Sequence, residues 1–325
     1  MTRKHGRISA AIVVALVAVS LLGSAALAAP FPWYPPVGGY PGFPWLPPGT
    51  NPGGPVNPGN PGGGRVADGF PQGFVVPTSQ QTGRPVGGWG GDPTGQTDGG
   101  DITHVPIVFV HGNSRDAHDF DQVRQYFLDH GYTPNELWAV SYGNGSMQQL
   151  DTNAAGAPTV QAFVNSVLDY LQQKNPAVTQ VNVITHSMGG TVVRSWLKQS
   201  GEYDRVRSFV EIAGPNHGLT GVPANTQVGQ ELQPGGQWLN DLNAGDETPG
   251  EIRHLTIYDG TGQFDPFYPS SLKDSPRLEG AENHAYNAEN GTRYDHLGLI
   301  NGTMALQYQW VQNDLVGAQG VAAVR

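Results

Sequence analysis

The residues best placed for chemistry in this 325-residue chain surround Ser187, in Val181-Asn182-Val183-Ile184-Thr185-His186-Ser187-Met188-Gly189-Gly190. A short apolar run of strand character leads into the serine. Thr191–Lys198, with Val192, Val193, Trp196 and Leu197 at helical spacing, leads out of it. A serine on a tight turn between a strand and a helix is a nucleophile elbow, and the small residues two before and two after it relieve crowding. Thr185 takes the earlier position, where Gly is usual, and Gly189 with Gly190 the later one. The positive end of the following helix would face developing negative charge, so the Met188 N–H is a candidate oxyanion donor. The second donor should follow an earlier strand. His111-Gly112-Asn113, directly after Val105–Val110, nominates the N–H of Asn113. The chemistry these groups suit is acyl transfer through a serine nucleophile.

A serine nucleophile needs a base and an acid, and on an elbow scaffold the chain order is serine, acid, histidine. His104 and His111 precede the elbow, and His186 adjoins the nucleophile. His296, in Tyr294-Asp295-His296-Leu297-Gly298-Leu299, comes just before the last helical segment and ranks first as base, with His284 second. The acid should follow the fifth strand, where Thr256-Ile257-Tyr258-Asp259-Gly260-Thr261-Gly262-Gln263-Phe264-Asp265-Pro266 offers two. Asp259-Gly260 is already explained as a turn. Asp265 lies deeper in the loop and is preferred, with Asp259 the alternative.

These side chains need a scaffold that brings residues 111, 187, 265 and 296 together. Val105–Val110, Leu137–Tyr142, Val181–Thr185, Ser208–Ala213 and Leu255–Tyr258 read as short strands. Helical spacing falls between them, at Phe120, Val123 and Phe127 and again from Val160 to Leu171. A last helix is expected over about 303–315. Strands alternating with helices predict an α/β fold with a mainly parallel central sheet and helices on both faces. One catalytic domain would occupy 101–325. Between the fourth and fifth strands, Leu219–Glu251 exceeds the usual connection of ~2–6 residues. Its apolar side includes Trp238, a candidate wall of a substrate pocket.

The remaining composition concentrates at the N-terminus. Arg3, Lys4 and Arg7, an apolar run to about Leu22 and the small-x-small site Ala26-Leu27-Ala28 read as a signal peptide over 1–28. Residues 30–64 hold 12 Pro and 10 Gly with six aromatic residues. The arm 29–64 is therefore expected to be disordered, a spacer or a segment that adheres to cell envelope or a lipid surface. Residues 65–100 remain Gly-rich and read as a lead-in to the fold. The chain has no Cys, which excludes disulfides, thiolate metal sites and a thiol nucleophile. No spacing suggests a metal site, and no cofactor is implied. With 24 acidic and 12 basic residues from Asp101 onward, the domain is a poor match for nucleic acid and favours a neutral substrate.

Val108-Phe109-Val110-His111-Gly112-Asn113, the Thr185–Gly190 elbow, Ala213-Gly214-Pro215-Asn216-His217-Gly218 and the stretch from Leu278-Glu279-Gly280-Ala281-Glu282-Asn283 to His296 resemble secreted bacterial lipases of the class 2 type. The first two are also similar to one type of extracellular polyhydroxybutyrate depolymerase. The resemblance spans roughly 101–315 and implies an α/β-hydrolase fold, a Ser187-Asp265-His296 triad and ester hydrolysis. The expected protein is a secreted lipase or esterase acting on lipid esters. The alternatives are a polyester depolymerase and, from a different class, a non-catalytic envelope-binding protein on a hydrolase scaffold.

Overall fold

The computed structural model describes residues 65–145 and 150–318. The expected signal peptide and the arm 29–64 lie outside the described residues. Seven strands form one sheet: β1 (Gly87–Gly90), β2 (Ile107–Val110), β3 (Leu137–Ser141), β4 (Val181–His186), β5 (Val206–Ile212), β6 (Arg253–Tyr258) and β7 (Glu282–Ala285), in the order β1-β3-β2-β4-β5-β6-β7. Among these described strands β1 runs antiparallel to its neighbour β3, and the other strand pairings of the sheet are parallel. Every residue of β2 and β4 is buried, as a strand covered on both faces requires. The cover includes α1 (Asp121–Asp129), α2 (Asn153–Gln172) and α3 (Met188–Ser200). Toward the C-terminus, α7 (Gly298–Gly302) and α8 (Met304–Val311) pack on α1, while α2 packs on α3. This is the mainly parallel α/β architecture expected from the alternating pattern.

The sheet starts earlier in the chain than its apolar runs suggest. Residues 65–100, read as a lead-in, supply β1 with the sequence Gly-Gly-Trp-Gly. Glycine weakens a strand, so propensity argues against one here. Packing explains it: a Cβ on Gly90 would sit 2.2 Å from the buried Trp138 ring. The same segment places Phe74 against Trp138 and Phe163, with ring centroids 5.1 and 5.6 Å apart.

The other unexpected strand is β7, Glu-Asn-His-Ala, which pairs only with β6 at the sheet edge. An edge strand needs no continuous apolar run. Asn283 fixes it, accepting the Thr256 hydroxyl proton at 2.8 Å and donating to the Leu278 carbonyl at 2.9 Å.

The long connection 219–251 carries two short helices, α4 (Gln227–Glu231) and α5 (Gln237–Asn243). It is docked rather than free. Leu219, Val228, Leu232, Leu239 and Leu242 are buried, and Glu231 accepts hydrogen bonds from the Asn153 backbone and side chain at the start of α2. Trp238 lies half-buried against the core.

Candidate active site

Ser187 follows the last residue of β4 and precedes the first residue of α3. Its φ of 53° and ψ of −130° lie where an L-residue is strained. The turn is held there by the Ser187 N–H, which donates to the Ile212 carbonyl at 2.8 Å. Gly189 lets α3 begin directly against β2. A Cβ there would come within 2.5 Å of the Val110 carbonyl oxygen and 2.7 Å of that of His111. The close approach brings Met188 beside the loop that follows β2.

That loop is built around Asp151, which is buried just ahead of α2. Its carboxylate accepts the Ser114 N–H at 2.9 Å, and its backbone carbonyl accepts the Asn113 amide at 2.9 Å. The Asn113 amide also lies 3.2 Å from the Met188 sulfur, so the two candidate donor residues lock each other. Neither the Asn113 nor the Met188 backbone N–H is bonded to another described residue. His111, by contrast, is absorbed into the scaffold. Its Nδ1 donates to the Gly112 carbonyl at 2.6 Å and its ring stacks on Tyr142 at 4.2 Å.

His296 sits in the loop between α6 (Tyr286–Asn290) and α7. Its Nδ1 donates to Asp265 Oδ2 at 2.7 Å, and both residues are buried. The carboxylate thus keeps the proton on Nδ1 and leaves Nε2 as the basic nitrogen. Among the described residues neither Nε2 nor the Ser187 hydroxyl makes a hydrogen bond. Four residues that sequence patterning had not singled out hold the imidazole. His186 Nε2 donates to the His296 carbonyl at 2.9 Å, and the two rings lie 4.5 Å apart. Phe267 covers the His296 ring with centroids 4.6 Å apart. Tyr268, 6.1 Å from it, anchors the acid loop by donating to the Ala213 carbonyl at 2.7 Å. Asn287 joins the two loops, donating to Asp259 at 2.8 Å and to the Tyr294 carbonyl at 2.7 Å.

The alternative acid has other work. Asp259 accepts the N–H groups of Gln263 and Phe264 at 3.0 Å each and the Thr261 hydroxyl at 2.6 Å. Burial pushes this carboxyl up, but the hydrogen bonds outweigh it and hold it below the usual range. Asp259 therefore shapes the loop that presents Asp265. The alternative base is also occupied elsewhere. His284 on β7 pairs with Glu282 at 2.7 Å and Glu289 at 3.1 Å. Among the described residues no group of three or more His, Cys, Asp or Glu side chains is arranged to hold a metal ion.

Buried imidazoles make stability depend on pH. Burial pushes His111, His186 and His254 down, His254 to about 3. Below about pH 6.5 the unfolded chain protonates these rings and the folded chain does not, so stability falls. The slope is up to about 1.4 kcal/mol per pH unit for each ring. Glu211, beside the elbow on β5, acts oppositely. Burial pushes it up to about 7 from 4.5, so between those values the folded state holds the extra proton and stability rises as pH falls. His217 is raised by its glutamate partner, and His284, which burial lowers, is raised overall by its own. The stability they add is already complete near pH 6.5, so below that pH three rings against one carboxyl predict a net loss. The urea midpoint should drop steadily from pH 6.5 to 5, and a flat midpoint across that range would contradict the neutral burial of these rings.

The chain's similarity to known proteins agrees with this geometry. Residues 104–261 match the class 2 lipase family. Among solved structures, Aspergillus fumigatus lipase B superposes with a TM-score of 0.54 at 16% identity, covering 78% of this chain and 57% of that one. This chain therefore spans little more than half the length of that lipase. A mature Bacillus licheniformis lipase superposes with a TM-score of 0.50 at 16% identity, covering 66% of this chain and 96% of the other. At such identities the superpositions speak to the fold, and the family match adds the lipase sequence pattern. The chain therefore has the α/β-hydrolase fold and carries the class 2 lipase sequence pattern over residues 104–261.

Proposed function

We propose that the protein is a secreted serine hydrolase that cleaves neutral lipid esters, such as acylglycerols, through an acyl-enzyme on Ser187. His296 Nε2 takes the serine proton as Oγ attacks the ester carbonyl. Asp265 orients the imidazole and stabilises its charged form, while the Asn113 and Met188 N–H groups hold the oxyanion. His296 then protonates the leaving alcohol, and water releases the acid by the same path. The observation that carries this reading is the strained Ser187 turn, with two uncommitted N–H groups at its side and an Asp265-locked imidazole held through His186, its neighbour in the chain. Export rests on the N-terminal signal pattern. A neutral substrate rests on the acidic excess of the domain, and the aromatic arm would serve as spacer or lipid-surface contact.

The test is a substrate panel on the chain beginning at Ala29: p-nitrophenyl esters of graded length, a triacylglycerol emulsion and polyhydroxybutyrate granules. Turnover of the soluble esters and the emulsion, stopped by a serine-directed phosphonate, is the expected result. Release from granules alone would move the substrate to polyesters. No turnover and no phosphonate labelling would leave a binding protein on a hydrolase scaffold. Trp238→Ala in the same panel should reduce turnover of long-chain esters more than short ones if α5 forms part of the acyl wall.

A further inference from the structure

A cleft of about 190 Å³ lies away from Ser187, between the second half of α3, the end of α5, the 244–252 segment and the start of β6. Its apolar walls are Leu197, Tyr203, Leu242 and Ile252, and three nitrogen-bearing side chains, Arg194, Lys198 and His254, also line it. Arg194 stands about two turns along α3 from the elbow.

The polar groups of the cleft are unevenly satisfied. His254 is buried, and neither ring nitrogen has a hydrogen-bond partner. A buried polar group without a partner is costly, and a ligand or a water is what can supply one. Lys198 spends two of its three ammonium protons on the Leu242 and Ala244 carbonyls, at 3.1 and 2.8 Å. Arg194 is anchored by Asn216 at 3.0 Å and Asn243 at 2.8 Å, so its charge is fixed in place without a carboxylate bonded to it. The two acids that line the cleft are used elsewhere. Glu247 accepts from His217 at 3.0 Å and from the Glu279 N–H at 2.7 Å, and Asp246 accepts from the Thr248 N–H at 2.9 Å.

From this arrangement we infer that the cleft is a second binding site, for a short aliphatic monocarboxylate whose chain lies on Leu197, Leu242 and Ile252 and whose carboxylate meets Lys198 and the His254 ring. An apolar pocket with a few convergent polar groups is the usual form of a small-ligand site. The cleft holds about 190 Å³, space enough for a short aliphatic acid. The ligand class is that of the acid released in the proposed reaction, so the site would sense or retain product. Only this last point rests on the proposed function; the binding itself does not.

The test is titration calorimetry with sodium hexanoate, and with 1-hexanol as the neutral analogue, on the chain beginning at Ala29 carrying Ser187→Ala, and on the wild-type chain after phosphonate treatment. Expected are saturable one-to-one hexanoate binding to both and at least tenfold weaker binding of 1-hexanol. Lys198→Met, at an exposed position, should weaken hexanoate at least tenfold, and His254→Phe should do the same. If His254→Phe does not fold, the imidazole proton signals of His254 in the wild-type chain replace it and should shift on hexanoate addition. Absence of saturable binding, equal affinity for 1-hexanol, or unchanged affinity in Lys198→Met overturns the inference. Failure of the phosphonate to label Ser187 would instead count against the catalytic reading, because binding is read independently on Ser187→Ala.

Discussion

Ser187→Ala should lower kcat on a soluble ester by about 10⁴- to 10⁶-fold, the range seen when the nucleophile of a serine triad is removed. The cause is specific. Without Oγ there is no acyl-enzyme, and the two backbone donors and the imidazole can only assist water. Stability should barely change, because Ala keeps the strained backbone of the turn. Ser187→Gly separates the two roles of the position. Glycine adopts φ of 53° and ψ of −130° without a Cβ clash, so the strain, of order 1–3 kcal/mol, is relieved. Part of that gain is lost to the greater freedom of glycine in the unfolded chain. Ser187→Gly should therefore be as inactive as Ser187→Ala yet more stable in urea by about 0.5–2 kcal/mol. Ester turnover near wild type in either variant would remove Ser187 from the mechanism. A glycine variant no more stable than the alanine variant would show that the turn is not strained.

Burial decides which strands are legible in the sequence. The strands β2 to β6 announce themselves because burial on both faces demands continuous apolar residues. The flanking strands do not. β1 is mostly glycine because it must lie under Trp138, and β7 is polar because it closes the sheet edge. Its place just before the last helical segment ranks His296 ahead of His284, and turn chemistry at Asp259-Gly260 ranks Asp265 ahead of Asp259. The supporting contacts were hidden because they join distant segments: His186 to the His296 carbonyl, Tyr268 to Ala213, and Asn287 to Asp259. Each is a common residue type in an ordinary local sequence. Its role follows only from where the sheet carries it, and no periodicity or motif could mark it. Asp259 is the instructive intermediate case. Turn chemistry accounted for it, but not for its second task of tying the acid loop to the loop that bears the histidine.

That second task gives the two aspartates different expected phenotypes. Asp265 Oδ2 receives the His296 Nδ1 proton at 2.7 Å, and its other oxygen accepts the Phe267 N–H at 3.0 Å. Asp265→Asn keeps the size and the loop but presents an amide to the imidazole. An amide N–H facing Nδ1 favours the tautomer with the proton on Nε2, which cannot accept from serine, and the charge that stabilised imidazolium is gone. A loss of about 10⁴-fold in kcat follows, with KM little altered. Asp259→Asn leaves that pair intact and weakens the bonds from Gln263, Phe264, Thr261 and Asn287. Its carboxyl is held below the ordinary range, so the folded state prefers the ion and loses stability when the charge is removed. The expected result is an unfolding free energy lower by about 1–3 kcal/mol, the cost of leaving buried groups poorly paired. Activity should fall far less than in Asp265→Asn and recover toward wild type at low temperature, where the loop is held more firmly. A larger loss of kcat at Asp259 than at Asp265, with both variants folded, would exchange their roles and make the observed Asp265–His296 pair a structural contact.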